Sequence, residues 1–475
     1  MVKKHLFING TWVEAREYRP LYSPFSGELL AEVAFADEAD VDKAVAAAEQ
    51  ARPVMAQMPA HQRASILEKL VLLLEQNAEE CARLIALEAA KPIATARGEV
   101  SRTVMTYKFA AEEAKRIHGE TIPMDAAAGG ENRVAYTVRR PLGVVAAITP
   151  FNFPMNLVAH KVGPAIAAGN PIVLKPATQT PLSSLFLAEL LQQAGMPPGA
   201  FNVVTGSGGI VGERLIQDER VKMITFTGSP AVGIAIRNKA GLKRVTLELG
   251  SNSALIVDQG VDLDTIIPRA VSGAFAFAGQ VCISLQRVYV HEQVYDQFVE
   301  KFVEKAKSLK VGSPLEEDSD LSALISPKDV ERSLAWIEEA KQQGAVVAAG
   351  GIRDGNCLYP TVLLDVDPGA KVSCQEVFAP IVLINKISSV AEGIAHVNDS
   401  RYGLQAGIYT NDVHTALKAA EQLEVGGVMI NDIPTFRVDH MPYGGVKESG
   451  VGREGLKYAV EEMTELKLVV FHTHS

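Results

Sequence analysis

The sequence has few cysteines and no block of basic residues. Its four cysteines, Cys81, Cys282, Cys357 and Cys374, lie far apart, and none forms a C-x-x-C pair. This spacing fits neither a disulfide framework nor a zinc site, so we expect free thiols and no bound metal. The formal net charge is -10 and the lysines and arginines are not clustered. Nucleic acid is therefore not an expected partner, because phosphate backbones recruit clustered basic side chains.

Long apolar runs are also missing. No segment reaches the ~18 consecutive apolar residues of a membrane span, and the opening "MVKKHLFINGTW" has no apolar stretch of the kind found in secretory signals. We therefore expect no membrane association and, by default, a cytoplasmic location. The chain does contain 475 residues, 47% hydrophobic and 21% charged, without low-complexity tracts. This composition predicts two or three compact domains of the α/β class.

Hydrophobic periodicity divides the chain into helical and mixed regions. Helical patterns occur between Asp40 and Ala111, most clearly in "HQRASILEKLVLLLEQ", whose apolar residues recur at helical spacing. From Gly143 to Gly250, about five short β-rich runs alternate with helical stretches. Such alternation indicates βαβ units and a parallel sheet, as in nucleotide-binding domains. A second α/β series follows and ends near Tyr443; it includes a predicted helix over 262–277.

Two β-rich pieces belong to neither series. Residues 118–141 read as an extended hairpin around the turn-forming "AAAGGEN", and "TELKLVVFH" near the end reads as a strand. A lone hairpin and a terminal strand need a sheet to join. We therefore expect both to pair between subunits of a homodimer or homotetramer.

Two glycine-containing turns follow predicted strands and open helices. In "VVTGSGGIVG", Gly206, Gly208 and Gly212 are spaced one residue wider than the Rossmann fingerprint. In "MITFTGSP", Ser229 stands where a helix N-cap belongs. Each could be a simple turn or cap, or a site where helix amides bind a pyrophosphate. Two such turns in one series favour a dinucleotide.

Four further residues at strand ends or in apolar stretches could carry chemistry. Lys175 ends a predicted strand and could bind a ribose or phosphate, or be solvated. Asn152 could donate to an oxyanion or cap a helix. Glu248, between two leucines, could be a general base of raised pKa or a paired glutamate. Cys282, in "FAGQVCISLQR", could be a nucleophile or a buried thiol.

Seven ordered motifs across nearly the whole chain resemble those of the aldehyde dehydrogenase superfamily. They are "PFNFP", "KPATQTP", "FTGS", "LELG", "GQVC", "EVFAP" and "PYGGVKESGVGREG". The resemblance implies an α/β fold with two Rossmann-like parallel-sheet domains and a small β oligomerisation element. It divides the chain into a cofactor-binding domain (1–117 and 142–250), a catalytic domain (251–442) and an oligomerisation part (118–141 and 443–475). The similarity extends to the branch of lactaldehyde, phosphonoacetaldehyde and non-phosphorylating glyceraldehyde-3-phosphate dehydrogenases.

The resemblance also implies a role for each motif residue. Cys282 would attack the aldehyde, Asn152 and the Cys282 amide would stabilise the oxyanion, and Glu248 would activate the water that hydrolyses the thioester. The residues placed along NAD or NADP are Ile148, Thr149, Pro150, Phe151, Lys175, Thr178, Gly206, Gly212, Phe226, Gly228, Ser229, Leu249, Glu376 and Phe378.

Substrate contacts are expected from two groups of residues. Phe153, Val281 and Ile283 would form apolar walls beside the nucleophile. Arg437 and His440 precede "PYGG" at the substrate mouth, and Arg437, together with Arg102, could anchor an anionic aldehyde.

Thr178 bears on the choice of cofactor. Many NAD-preferring members of the family have a glutamate three residues after the lysine that Lys175 matches, and that carboxylate would repel a 2′-phosphate. Thr178 removes the repulsion, so we expect NADP to be accepted and NAD use to remain possible.

Two other reactions are weighed against simple aldehyde oxidation. A CoA-acylating relative would need no base for hydrolysis, so Glu248 argues against it. A cysteine hydrolase would need a histidine beside Cys282, and none of the ten histidines lies in a suitable motif.

Overall fold

The structure is a computed structural model that describes residues 2–473. Met1, at the start of the predicted segment 1–117, and His474 and Ser475, at the end of 443–475, lie outside the described residues. The helices are α1 (Glu38–Gln57), α2 (Ala60–Gln76), α3 (Ala78–Ala89), α4 (Ile93–Ala114), α5 (Asn156–Ala168), α6 (Leu182–Gln193), α7 (Glu213–Gln217), α8 (Pro230–Lys239), α9 (Leu263–Phe275), α10 (Glu292–Lys307), α11 (Pro327–Gln342), α12 (Lys371–Cys374), α13 (Val390–Asn398), α14 (Val413–Gln422) and α15 (Leu456–Glu462).

The strands form two large sheets and several small ones. In chain order they are β1 (Lys3–Lys4), β2 (Leu6–Ile8), β3 (Thr11–Val13), β4 (Glu17–Tyr22), β5 (Leu29–Phe35), β6 (Thr121–Ile122), β7 (Arg133–Pro141), β8 (Val144–Ile148), β9 (Ile172–Lys175), β10 (Phe201–Val203), β11 (Val221–Thr227), β12 (Arg244–Glu248), β13 (Ala254–Val257), β14 (Arg287–His291), β15 (Val346–Ala349), β16 (Arg353–Asp354), β17 (Cys357–Leu358), β18 (Thr361–Leu364), β19 (Ile381–Ile387), β20 (Tyr402–Gly403), β21 (Gln405–Tyr409), β22 (Gly427–Ile430), β23 (Val446–Lys447), β24 (Gly450–Val451) and β25 (Thr464–His472).

The first large sheet has the order β24-β12-β11-β8-β9-β10-β2-β3. Its five central strands are parallel, whereas β24 and β2 pair antiparallel at the two sides. Strands such as β8 and β9 are buried along their whole length, because helices cover both faces of a parallel sheet. The prediction of about five alternating strands over 143–250 is confirmed.

The second large sheet has the order β15-β18-β19-β14-β13-β21-β22. All its pairings are parallel except the one between β15 and β18. The predicted α/β fold with two parallel-sheet units is therefore confirmed.

Helix α2 shows why the strongest periodic pattern was reliable. Its buried residues Ile66, Leu67, Leu70 and Leu74 share one face, which packs in the core of the first domain. The predicted helix over 262–277 is only partly right, because α9 ends at Phe275. A 3-10 turn over Ala276–Gly279 follows there, and Phe277 and Ala278 within it have left-handed φ values that an α-helix does not allow.

The hairpin and the terminal strand pair with each other in the same chain. They form a three-stranded antiparallel sheet of order β25-β7-β6. Pairing between subunits was expected from the sequence, whereas these strands find pairing partners within the same chain. In addition, part of the segment 443–475 joins the first domain: β24 pairs with β12, and Leu456 and Val460 of α15 lie in the first domain's core. The remaining domain boundaries stay a prediction.

Candidate active site

The site forms where four neighbouring strands of the first sheet end. Strands β12, β11, β8 and β9 lie side by side and end at Glu248, Thr227, Ile148 and Lys175. Carboxyl ends of parallel strands meet at one edge of a sheet, which is where α/β folds bind ligands. The motif residues that follow these strands are therefore brought together although they are far apart in the sequence.

The second domain closes the site from the opposite side. A cavity of about 310 Å³ is lined by residues of both domains: Pro150, Phe151, Asn152, Thr227, Gly228, Ser229, Glu248, Leu249, Gly250, Cys282, Arg332, Glu376 and Phe378. All but Thr227, Gly250 and Arg332 were proposed from sequence. The catalytic candidates and several cofactor candidates thus face one cavity, which supports placing chemistry there.

A tight turn presents Cys282 to this cavity. Phe277 and Ala278 have φ values of 48° and 51°, in the left-handed region, and Gly279 follows with φ 70°. A Cβ on Gly279 would lie 2.2 Å from the carbonyl oxygen of Ala379, so only glycine fits. Non-glycine residues in this region store strain and persist where the surroundings fix them. The glycine of "GQVC" is thus required by the backbone path to the cysteine.

Cys282 has a tyrosine as its hydrogen-bond partner. The hydroxyl of Tyr443 lies 2.9 Å from the Cys282 sulfur, and the guanidinium of Arg437 lies 3.6 Å from the centre of the Tyr443 ring. Burial raises the pKa of the Cys282 thiol to about 11, while the Tyr443 hydrogen bond and the Arg437 charge oppose that rise. Among the described residues, no histidine bonds to this sulfur; buried His160 instead contacts Asp439 and Arg437.

Asn152 is held by a buried ion pair. Its Nδ2 donates to the carbonyl of Gln280 (3.0 Å), and its backbone carbonyl accepts from Lys91 Nζ (2.6 Å). Lys91 also forms a fully buried ion pair with Glu99, and Glu99 accepts from the backbone N–H of Met155 at 3.0 Å. An amide nitrogen has two N–H groups, so the bond to Gln280 leaves one for an oxyanion. Asn152 does not cap a helix, which was the alternative role expected from the sequence. Helix α5 begins at Asn156 and has no side-chain cap.

Glu248 is a buried carboxyl group with unpaired oxygens. Both carboxyl oxygens are buried and without a hydrogen-bond partner among the described residues. Burial, and then the negative charge of Glu454, raise the pKa of Glu248 well above 4.5. Glu454 is itself held ionised: although burial opposes this, the nearby Lys161 and Arg437 lower the pKa of Glu454. A carboxyl group of raised pKa facing a cavity is suited to general base catalysis.

The helix end at Ser229 fits a dinucleotide better than a cap. Ser229 occupies the N-cap of α8, yet its side chain makes no capping hydrogen bond. A Cβ on the neighbouring cavity residue Gly250 would lie 2.3 Å from Glu376 Oε2, so that glycine leaves room for a buried acid. Burial raises the pKa of Glu376 to about 7, and Glu376 Oε1 accepts from the backbone N–H of Ser251 at 3.1 Å. The N-terminus of α8 and the Glu376 carboxyl group line the same cavity, and such groups are of the kinds that bind a pyrophosphate and a ribose.

Other predicted cofactor residues do not line this cavity. Thr178 Oγ1 donates to the carbonyl of Gly206 at 3.1 Å, and both residues line a smaller hollow of about 40 Å³. Burial lowers the pKa of Lys175 to about 8, and its Nζ donates to the Pro176 carbonyl at 3.0 Å. Ile148, Thr149 and Phe226 are buried in or directly after strands, and Gly212 ends a π turn over Gly208–Gly212.

The predicted substrate residues separate into two groups. Phe153, Val281 and Ile283 pack with Cys282 and Tyr443 in one apolar cluster, as the expected pocket walls would. The polar candidates Arg437, Arg102 and His440 contact other protein side chains.

Arg437 is 6% exposed and bonds to Glu454 at 2.9 Å. Arg102 is 32% exposed, bonds to Asp439 at 2.7 Å, and lies 5.8 Å from the ring of Phe153. His440 is exposed and packs against Phe109 at 4.8 Å. Of the two arginines, Arg102 is the more exposed, and its guanidinium also lies near Phe153 of the apolar cluster.

Comparison with known proteins agrees with this geometry. A model of the aldehyde dehydrogenase family matches residues 12–469. The chain belongs to the aldehyde dehydrogenase family. The NAD(P)-dependent aldehyde dehydrogenase activity expected from the sequence is thereby confirmed at the level of reaction and cofactor class.

Individual aldehyde dehydrogenases are similar over almost the full chain. The 3-sulfolactaldehyde dehydrogenase of Priestia aryabhattai is 49% identical over 467 residues, 98% of each protein. Aldehyde dehydrogenase 21 from Physcomitrella patens, solved with the reaction product succinate, has a TM-score of 0.97 and 43% identity and covers 99% of this chain and 98% of that one. The glyceraldehyde-3-phosphate dehydrogenase GapN from Methanocaldococcus jannaschii, solved with NADP, has a TM-score of 0.93 and 41% identity and covers 96% and 99%.

Besides the cavity residues Thr227 and Gly250, five residues of this aldehyde dehydrogenase site were not singled out from sequence. They are Lys91, Lys161, Arg332, Tyr443 and Glu454. Lys161 was detectable from the sequence of its helix, "NLVAHKVGPAIAA". It is the only lysine or arginine in that largely apolar segment. Arg332 had no such signal, because it lies in α11, an ordinary amphipathic helix.

Proposed function

We propose that this chain oxidises a small anionic or hydroxylated aldehyde to the carboxylic acid through a thioester on Cys282. The observation that carries the proposal is the cavity in which Cys282, Asn152 and Glu248 face the same space as Ser229 and Glu376. Nucleophile, oxyanion donor, base and dinucleotide-binding groups are the parts that this reaction requires.

The first half of the reaction forms the acyl enzyme. The Cys282 thiolate attacks the aldehyde carbon and gives a thiohemiacetal, whose oxyanion accepts hydrogen bonds from Asn152 Nδ2 and the Cys282 backbone N–H. NAD(P)⁺, when bound, supplies the hydride acceptor for this oxidation. The apolar cluster around Phe153 and Val281 excludes water from the reacting carbon during this half.

The second half releases the acid. Glu248 accepts a proton from the water that attacks the thioester carbonyl, and Asn152 again stabilises the oxyanion. When the tetrahedral intermediate collapses, the Cys282 sulfur leaves. Because both Glu248 oxygens are unpaired, the carboxylate is free to receive that proton.

NADP is the proposed cofactor, with NAD as an accepted alternative. Thr178 is neutral and lies in the hollow beside Gly206, so no carboxylate of that residue opposes a 2′-phosphate. The GapN structure holds NADP. A preference for NAD of more than about a hundredfold, ~2.7 kcal/mol, would contradict this assignment.

Arg102 is the proposed anchor for the anionic end of the substrate. The substrates named for the relatives, 3-sulfolactaldehyde and glyceraldehyde-3-phosphate, and the bound product succinate all carry an anionic group. Arg102 is half-buried beside Phe153 and can exchange its Asp439 contact for a substrate anion. Arg437, the anchor first expected from the sequence, is less exposed, and its guanidinium lies against the ring of Tyr443.

The test compares substrates of different charge. We expect Arg102→Ala to raise KM for sulfonated, phosphorylated or carboxylated aldehydes about tenfold or more, and to leave KM for a neutral aldehyde of similar size unchanged. Arg97→Ala is the matched control, because Arg97 lies on the same helix and pairs with Glu79 and Glu317 at the surface. KM values for anionic aldehydes that are the same in the wild type and in Arg102→Ala would rule out this anchor.

We also propose that the protein is a cytoplasmic homo-oligomer. Among the described residues, no helix is both long and apolar enough to cross a membrane. Strand β25 carries exposed apolar side chains at Leu466, Leu468 and Val470, and these support association with a second copy.

A further inference from the structure

Among the described residues, the hydroxyl group of Tyr443 has one hydrogen-bond partner, the sulfur of Cys282. The two atoms are 2.9 Å apart, and the tyrosine is 3% exposed. A buried tyrosine hydroxyl normally finds a partner, and here that partner is the reacting atom itself. Phenylalanine would fill the same volume, so packing alone does not explain the hydroxyl.

Backbone and side-chain contacts fix the position of this tyrosine. Tyr443 and Glu454 exchange backbone hydrogen bonds of 3.1 and 2.6 Å. Arg437 stacks on the Tyr443 ring at 3.6 Å and is tied to Glu454 at 2.9 Å. The phenol therefore cannot turn away from Cys282 without breaking this arrangement.

The buried charges around the tyrosine do not cancel. Lys161 and Arg437 both pair with Glu454, at 2.9 Å each, so two cations share one anion. One further negative charge nearby would balance the group. The ionisable groups lining the cavity that can supply it are Cys282, as thiolate, and Glu248 and Glu376, as carboxylates.

Other ionisable groups facing the sulfur act in the opposite direction. Burial raises the pKa of Cys282, and the charges of Glu376 and Glu248 add to the rise. The pKa values of both carboxyl groups are themselves raised by burial. The thiolate thus depends on the Tyr443 hydroxyl and the Arg437 charge as its stabilising neighbours.

We propose that Tyr443 is a catalytic residue that donates its hydroxyl hydrogen to the Cys282 thiolate, with Arg437 holding the ring and supplying the compensating charge. The proton lost by the thiol leaves to solvent or to Glu248, and the phenol keeps its own proton. Burial, the largest cause, raises the pKa of Tyr443 well above 10, so the phenol stays a neutral donor. The inference rests on the proposed role of Cys282 as nucleophile.

The experiment measures alkylation of Cys282 by iodoacetamide in the cofactor-free enzyme, with each cysteine followed by peptide mass spectrometry. Only the thiolate reacts, so the rate below the pKa reports the thiolate fraction without aldehyde or cofactor. In Tyr443→Phe we expect the Cys282 rate to fall about tenfold to a hundredfold at each pH between about 7 and 9, the effect of losing one hydrogen bond to a charged group.

Matched controls separate this effect from a structural one. Tyr289→Phe removes another buried hydroxyl beside an arginine, Arg287, in the second domain, and should leave the rate unchanged. The half-buried Cys374 should react equally in all variants. An unchanged Cys282 rate in folded Tyr443→Phe would overturn the proposal.

A second measurement decides the question if Tyr443→Phe does not fold. Replacing tyrosines with a ring-fluorinated tyrosine makes the phenol a stronger donor while keeping its shape. We expect faster Cys282 alkylation in this protein, and an equal or slower rate would overturn the proposal. Because no aldehyde is involved, failure of the proposed function would show separately, as normal alkylation of an enzyme that oxidises no aldehyde.

Discussion

At the scale of single residues, the role proposed for Glu248 is to activate water in the second half of the reaction. Because its pKa is raised by burial and by Glu454, the carboxyl is protonated at low pH and becomes a base only as the pH rises. We expect wild-type thioester hydrolysis to accelerate with increasing pH. Glu248→Gln should slow steady-state acid formation by about 10²–10⁴-fold and remove that pH dependence.

Stopped-flow measurements distinguish this role from a general defect. The first turnover of Glu248→Gln should still produce a burst of reduced cofactor, because the acyl enzyme forms before the base acts. If the burst rate and the steady-state rate of Glu248→Gln fell by the same factor, the role of Glu248 would not be specific to hydrolysis.

The motif residues were predictable from sequence, whereas their contacts were not. Cys282 and Tyr443 are 161 positions apart, and the sequence around Cys282 has no ionisable side chain before Arg287. A hydrogen bond between such distant residues depends on the packing of two domains. The sequence therefore indicated a nucleophile and a base, but not the tyrosine that touches the sulfur.

At the scale of elements, a buried glutamate caps helix α6. Glu88 accepts from the backbone N–H groups of Leu182 (2.7 Å) and Ser183 (3.0 Å), because Pro181 at the N-cap offers no side-chain acceptor. Burial nevertheless raises the pKa of Glu88 from 4.5 to about 7. Because the folded state binds this proton more tightly than the unfolded state, protonation of Glu88 stabilises the fold. This stabilisation is complete below about pH 4.5 and is lost as the pH rises through about 7.

Glu88→Gln tests this linkage. The amide keeps one acceptor oxygen and does not ionise, so we expect the free energy of unfolding of the variant relative to the wild type to rise by about 1–3 kcal/mol between about pH 5 and pH 8. Urea denaturation at both pH values measures the change. Glu80→Gln, on the exposed side of α3, should show no such trend; an equally flat Glu88→Gln difference would contradict the account.

Element boundaries show where sequence periodicity stopped being informative. The pattern of α2 identified its buried face, because an amphipathic helix repeats with a period that the sequence displays. The end of α9 was missed by two residues, because "AFAFAG" continues an apolar helical pattern while Phe277 and Ala278 adopt left-handed φ values. Tertiary contacts, including the close approach of Gly279 to Ala379, decide that turn.

At the scale of the whole molecule, β25 is an open edge. It is nine residues long and pairs on one side with β7, and Leu468 is 53% exposed. Long apolar edge strands are usually covered by another chain. We expect the wild type to be a dimer or tetramer and Leu468→Lys to reduce its mass in solution.

Size-exclusion chromatography with light scattering checks this expectation. Leu72→Lys is the control, since Leu72 is 57% exposed on α2, away from the sheet, and it should leave the mass unchanged. A wild-type protein that is monomeric at all concentrations would contradict the account.

The two-domain α/β organisation was predictable at this scale, but the chain path between the domains was not. Alternating strands and helices indicate parallel sheets from local pattern alone. The return of β24 and α15 to the first domain is a long-range event, and the short strand "GV" carries no local signal. The same return brings Tyr443 and Glu454 to the site.

We propose above all that the enzyme oxidises small anionic aldehydes with NADP or NAD as oxidant, through a thioester on Cys282. The most direct measurement is the absorbance of reduced nicotinamide when purified wild type and Cys282→Ala are mixed with either cofactor and a panel of sulfonated, phosphorylated, carboxylated and neutral aldehydes. The account predicts that the wild type reduces NADP⁺ with at least one anionic aldehyde, while Cys282→Ala binds cofactor without turnover. Turnover by Cys282→Ala, or reduction by the wild type with neutral aldehydes alone, would contradict it.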